Sequence, residues 1–214
     1  MRVDITPKER IKMKLYYYDT QNPWRACAVA KYLEIPVDYV HIDVGKREHK
    51  SPEFLAINPN GRVPALVDGE TSIWESVAIM AYFSEKVGSD LWPNDERRLE
   101  ILRWLLWDAA QFTRWGSILH FENRIRERFG LGAPDPAKVE EAMRNWNRFA
   151  KVLEEHLKGR TYLVADTLSI ADFAVACLLP LAGPSKLPLQ DYPQIRRFHD
   201  NLIEIPAWRH PFPE

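Results

Sequence analysis

Short apolar and aromatic runs alternate with helical spacing over the first third of the chain, and from Asp95 onward only helical spacing remains. Residues 14–18, Lys-Leu-Tyr-Tyr-Tyr, read as a strand, because aromatic side chains fit a pleated, half-buried surface. Asp19 to Pro23 is loop chemistry, and Pro23 suits a first helical turn, where an N–H would have no partner anyway. Ala26, Val29, Ala30 and Leu33 then recur at helical spacing until Glu34-Ile35-Pro36 ends the run. A second alternating strand covers 37–44. After a polar stretch over 45–52, a short helical piece around Phe54 and Leu55 leads to a strand over 64–67. Asp68-Gly69 between two apolar runs signals a hairpin into a strand over 71–74. A helix carrying Val77, Ile79, Met80 and Phe83 completes a β-α-β-α-β-β-α order.

Ser89-Asp90-Leu91-Trp92-Pro93-Asn94 breaks the pattern and reads as a linker. The expected division is an extension over 1–12, a first domain over 13–88, a linker over 89–96 and an all-helical domain over 97–214. The fold class is therefore α/β plus all-α. In the second domain the spacing predicts one long aromatic-laden helix or a bent pair over 95–129, a helix over 136–157 and a third over 163–180. Ser169 with Asp172 three residues on resembles a capping box, with Leu168 as a hydrophobic staple. That pair is a folding signal and gives Asp172 no catalytic role.

Composition narrows the partners. The chain has 214 residues, 46% hydrophobic, and 29 basic against 30 acidic side chains for a net charge of −1. Such a length and apolar share suffice for one or two buried cores. The balanced charge removes the electrostatic case for nucleic acid or an anionic membrane and favours a small molecule or a protein. Arg2, Asp4, Lys8, Glu9 and Arg10 stand where a signal peptide would need an apolar core, and no apolar run is long enough to span a bilayer, so a cytoplasmic location is expected. Cys27 and Cys177 lie far apart in helix-like patterns, and the six histidines show no ligand spacing, so neither a disulfide framework nor a metal site is expected.

Three short motifs carry candidate chemistry. Glu75-Ser76 sits where a strand gives way to a helix, and the free N–H groups of a first helical turn favour an anion; an ordinary serine cap is the plainer reading. Val63-Pro64 starts a strand with backbone groups that need not pair within the sheet. His49-Lys50 lies in a mixed-charge loop that composition alone would leave solvated.

In this order and spacing, His49-Lys50, Val63-Pro64 and Glu75-Ser76 resemble the glutathione-binding half of a cytosolic glutathione S-transferase, most closely a theta-like bacterial member. The resemblance runs through essentially the whole chain from about Lys14 and implies a thioredoxin-like first domain. It implies that Ser76 binds the γ-glutamyl carboxylate of glutathione and Glu75 its ammonium group, that Val63, before a cis Pro64, pairs with the cysteinyl unit, and that His49 and Lys50 reach the glycyl carboxylate. It also implies a homodimer and, as function, conjugation of the glutathione thiolate to a hydrophobic electrophile, with glutathione as co-substrate and no metal.

The thiol-activating loop departs from that pattern. Theta-like relatives read Ser-Gln-Pro-Cys-Arg-Ala, whereas this chain reads Gln21-Asn22-Pro23-Trp24-Arg25-Ala26. Gln21 stands where the hydroxyl is expected, leaving Thr20, Gln21 and Asn22 as the candidate set for the thiolate. A free thiol titrates near pKa 8.5, so reaching about 6.5 requires roughly 2.7 kcal/mol of differential stabilisation, and hydroxyl or amide donors at a helix N-terminus can provide it. Trp107, Gln111, Phe112 and Trp115, with Trp104, recur at near-helical spacing and are candidates for a hydrophobic co-substrate pocket, with an aromatic core as the alternative. Loss of the hydroxyl keeps two other readings open: a glutathione-dependent disulfide reductase or peroxidase, and a non-catalytic binding module. A mixed disulfide would need Cys27, which lies about a turn too far into the helix.

Overall fold

The computed structural model describes residues 13–213; the expected 1–12 extension lies outside them. Strands β1 (Met13–Tyr17), β2 (Val37–His41), β3 (Ala65–Asp68) and β4 (Thr71–Trp74) form one sheet in the order β2-β1-β3-β4. β1 and β2 run parallel with Leu15 opposite Tyr39, β1 and β3 antiparallel with Leu15 opposite Leu66, and β3 and β4 close the Asp68-Gly69 hairpin. Helices α1 (Gln21–Tyr32), α2 (Pro52–Ile57) and α3 (Ser76–Val87) complete the thioredoxin-like order. β2 stops short of the expected residue 44, because the chain turns at Asp43, whose carboxylate accepts from the Lys46 N–H at 3.0 Å.

The long helix predicted over 95–129 is one path with two irregular turns. α4 (Arg97–Trp107) runs through a π turn at Asp108–Phe112 into α5 (Thr113–His120), and a second π turn at Phe121–Ile125 leads to α6 (Arg126–Arg128). Each π turn inserts a residue and rotates the face that follows, a device often found beside functional sites. α7 (Pro136–His156) packs on α5 and is capped by Asp135, whose carboxylate accepts from the Ala137 and Lys138 N–H groups.

The third helix is shorter than predicted: residues 163–169 are irregular, and α8 (Ile170–Val175) begins only after Ser169. There the Asp172 carboxylate accepts from the N–H groups of Ser169 and Leu163, each at 2.8 Å, and from the Ser169 hydroxyl. Beyond it lie α9 (Ala182–Ser185), α10 (Pro193–Ile203) and α11 (Pro206–Arg209). α10 buries Ile195, Phe198 and Leu202 at helical spacing.

α1 holds the two halves together. Its Ala26, Cys27, Ala28, Val29 and Ala30 are fully buried, and their small size lets α3 and α11 approach on either side. Trp24 donates its indole N–H to the Trp208 carbonyl at 3.0 Å, and Lys31 donates to the carbonyls of His210 and Phe212.

Candidate functional site

The hairpin delivers Glu75 with a left-handed φ of 70°, which turns the chain sharply from β4 into α3. Glu75 is exposed, whereas Ser76, the first residue of the helix, is buried. The Ser76 hydroxyl accepts from Nε of Arg25 at 2.8 Å. Arg25 is itself buried on α1, and its other nitrogens donate to Asn22 Oδ1 at 2.9 Å, to Asp108 Oδ2 at 3.2 Å and to the Ala174 carbonyl at 3.4 Å. Asp108, fully buried in the first π turn, also accepts from the Thr113 hydroxyl at 2.6 Å. Burial pushes its carboxyl up to about 6, with Arg25 and Thr113 holding it from rising further. One guanidinium thus joins the Ser76 turn, the thiol-loop candidate Asn22 and the helical domain. A buried pair of this kind needs its remaining donors satisfied, and four of the five guanidinium N–H groups have a partner here.

A cleft of about 460 Å³ opens between the domains. Tyr18, Thr20, Gln21, His49, Lys50 and Val63 line one side; Ser117, His120, Phe121, Ile125 and Phe129 line the other. Thr20 stands at the N-cap of α1, yet its hydroxyl makes no capping bond. Gln21 reaches across the cleft, donating its amide to the Ser117 hydroxyl at 3.4 Å. Burial, with Lys50 and Arg47 close by, lowers the pKa of His49 below the usual histidine value, and its Nδ1 is buried without a protein partner. Lys50 donates to the carbonyls of Asn60 and Gly61, which brings its charge to the cleft wall. The Val63-Pro64 bond is cis, and Val63 precedes the first paired residue of β3, so its main chain lies outside the sheet ladder.

Of the residues singled out in the sequence, the cleft gathers Thr20, Gln21, His49, Lys50 and Val63. Pro64 lies buried just behind it. Asn22 and Ser76 are tied to Arg25, and Glu75 stands exposed at the turn. The four aromatic-stripe candidates are not cleft-lining residues. Phe112 is buried and stacks on Trp107 with centroids 5.5 Å apart, and it also meets Trp146 of α7 at 5.4 Å. Trp107 packs edge-on to Phe149, while Trp104 packs against His156. Trp115 lies under the Arg114 guanidinium, and Gln111 is half-buried. Trp104, Trp107 and Phe112 thus form part of the seam between the long helix and α7. The wall of the cleft comes from further along, at Ser117, Phe121, Ile125 and Phe129. Their spacing of four residues was a legible helical signal that the heavier tryptophan stripe masked.

Arg25, Asp108 and His120 were the other omissions. Arg25 was counted as part of a motif and Asp108 as one charge among many. Arg128 donates to the hydroxyl of Tyr18, a cleft-lining residue, at 2.7 Å. Cys27 and Cys177 are both buried; burial pushes the Cys177 thiol up to about 11 and that of Cys27 higher still. Neither is positioned as a nucleophile.

Comparison with known proteins gives two family matches. Residues 12–85 match "Glutathione S-transferase, N-terminal domain" and residues 112–206 match "Glutathione S-transferase, C-terminal domain". Glutathione S-transferase 3 of Zea mays is 32% identical over 205 residues, covering 92% of this chain and 91% of its own length. The disulfide-bond oxidoreductase YfcG of Escherichia coli is 28% identical over 201 residues, covering 90% and 91%. Among solved structures, glutathione S-transferase-I bound with lactoylglutathione superposes with a TM-score of 0.83 at 31% identity, covering 94% of this chain and 98% of that one. The matches reach from plant to bacterium and do not single out the theta-like branch.

Proposed function

The chain belongs to the glutathione S-transferase family, and from that premise we propose that its interdomain cleft binds glutathione and directs the thiolate at a hydrophobic electrophile. The observation that carries this reading is the convergence on one cleft of an unpartnered His49 Nδ1, the Lys50 ammonium, an unpaired Val63 main chain and the free Thr20 hydroxyl. The glycyl carboxylate meets Lys50 as the charge and His49 as a neutral hydrogen-bonding group. The cysteinyl unit pairs with Val63 as a short strand addition. The γ-glutamyl end sits at the Glu75-Ser76 turn, where α3 presents its free N–H groups to an anion.

Within the loop, Thr20 is the best-placed partner for sulfur. Its hydroxyl is uncommitted, whereas Gln21 is engaged with Ser117 and Asn22 with Arg25. The protein forms no covalent intermediate; it orients the thiolate and stabilises its charge. Titrating glutathione into the protein while following thiolate absorbance in the ultraviolet at several pH values tests this. A saturable thiolate signal with an apparent pKa well below 8.5, weakened in Thr20→Ala and restored in Thr20→Ser, is expected. Binding with no thiolate at neutral pH would overturn the transferase reading.

Glutathione-dependent disulfide reduction is the second reading, supported by the likeness to a disulfide-bond oxidoreductase and by the absence of a serine in the loop. With both protein thiols buried, such exchange would run between glutathione and a bound disulfide. We also propose a homodimer. Leu99, Leu102 and Leu106 leave an apolar stripe exposed on α4, which a second copy would cover.

A further inference from the structure

His120 occupies a position in the cleft that binding of glutathione does not explain. The residue is 6% exposed and lines the cleft, and its Nδ1 lies 2.8 Å from the hydroxyl of Ser185, which is fully buried. Ser185 Oγ has no other hydrogen-bond partner among the described residues. A buried hydroxyl without a second acceptor gives its proton to the one it has, so Ser185 donates to Nδ1 and the ring proton resides on Nε2. That nitrogen makes no hydrogen bond among the described residues and is not enclosed by protein, and the residue lines the cleft. Burial, reinforced by Arg124, lowers the ring's pKa below the usual histidine value and keeps it uncharged near neutral pH. His120 stands three residues, about one helical turn, beyond Ser117, the residue that Gln21 of the thiol loop touches. Phe121 and Ile125 supply apolar surface on the same wall.

We propose that His120 is a catalytic residue whose Nε2–H bonds to the carbonyl oxygen of an α,β-unsaturated carbonyl substrate. This rests on the glutathione-transferase reading above. The glutathione thiolate forms a carbon–sulfur bond at the β-carbon, and the alkene electron pair moves to the carbonyl oxygen. The resulting enolate is held by Nε2–H and then takes a proton from water at the α-carbon. The imidazole stays neutral and loses no proton. A donor aimed at a developing oxyanion is worth more in the transition state than in the ground state, so enones gain from it. An alkyl halide, whose charge departs on halide, gains nothing.

The test compares 4-phenyl-3-buten-2-one with benzyl chloride in the full-length protein and in His120→Phe, His120→Gln and Ser185→Ala. His120→Phe should lower kcat/KM for the enone roughly 10- to 100-fold with little change for benzyl chloride or in glutathione affinity. His120→Gln, which keeps an N–H donor, should recover part of the loss. Equal losses on both substrates, or none on the enone, would overturn the proposal. Nitrogen-15 NMR of the imidazole gives an answer independent of turnover and of variant folding. A protonated Nε2 with a bare Nδ1 is expected, and the opposite tautomer would overturn the proposal. Absence of glutathione binding in the unsubstituted protein would defeat the underlying reading, whereas glutathione binding without enone turnover would defeat the role of His120 alone.

Discussion

Gly61 shows how little room the His49–Lys50 end of the cleft allows. Its backbone adopts a φ of 58°, and a Cβ built there would lie 2.6 Å from Lys50 Nζ and 2.8 Å from the His49 carbonyl. The lysine can swing away, but the carbonyl can move only with the loop that positions both residues. Gly61→Ala should therefore destabilise the fold by about 1–3 kcal/mol, through the left-handed backbone and the contact. It should also weaken glutathione binding about tenfold by calorimetry; undiminished affinity would remove His49 and Lys50 from the site. His199 is a second residue with a consequence of its own. Burial lowers its pKa below 6.5, with only Asp200 acting in the other direction, and its Nδ1 has no partner. A histidine with a depressed folded pKa gives stability that is complete above its unfolded value near 6.5 and declines as the pH falls through and below it. Urea unfolding of His199→Phe should accordingly show a smaller loss between pH 7.5 and 5 than the parent protein. Equal losses would contradict this. At this scale the sequence was readable where the geometry is local, as in the strand-to-helix turn at Glu75-Ser76 and the shared loop of His49 and Lys50. It was unreadable where partners come from 51 to 149 residues away, as the bonds of Arg25 do.

Among the elements, α8 depends most visibly on a few atoms. The Asp172 carboxylate caps the helix and ties down Leu163 ahead of it, and burial pushes its pKa up to about 7 despite three donors. Asp172→Ala would leave two buried N–H groups unsatisfied at about 1–3 kcal/mol each. A fall of about 2–5 kcal/mol in unfolding free energy is expected, with glutathione binding retained by the protein that remains folded. A variant as stable as the parent would show that water replaces the carboxylate. Element identity was legible because strand alternation, the Asp-Gly hairpin and Pro-initiated helices are local signals. The π turns were not. They preserve a helical pattern on both sides and only rotate one against the other, so the face followed through Trp104 and Trp107, which meet α7, does not continue unchanged to the cleft wall at 117–129. α10 was missed for a different reason: the prolines on both sides of Pro193–Ile203 obscured an otherwise regular apolar face.

For the molecule as a whole, the exposed stripe of α4 makes the clearest claim. Leu99 is 74% exposed and Leu106 62%, which is high for neighbouring leucines on one helix face. Leu106→Asp should convert a dimer into a monomer in light scattering while leaving the helical circular dichroism signal intact. A parent protein that is already monomeric would overturn the proposed self-association. The two-domain layout was visible in the change of periodicity near residue 95, but the packing of the domains was not. It depends on a run of alanines in α1 whose small size carries no signal until the partner helices are in place.

The ion pair between Arg25 and Asp108 bears on how such a molecule can be recombined. The cation is supplied by one domain and the anion by the other, so a chimera that exchanges the helical half must carry an acid at the same place. Where it does not, a guanidinium is stranded in the interior at a penalty of about 3–5 kcal/mol. Shuffling the helical half among relatives is thereby restricted to donors that share this one carboxylate.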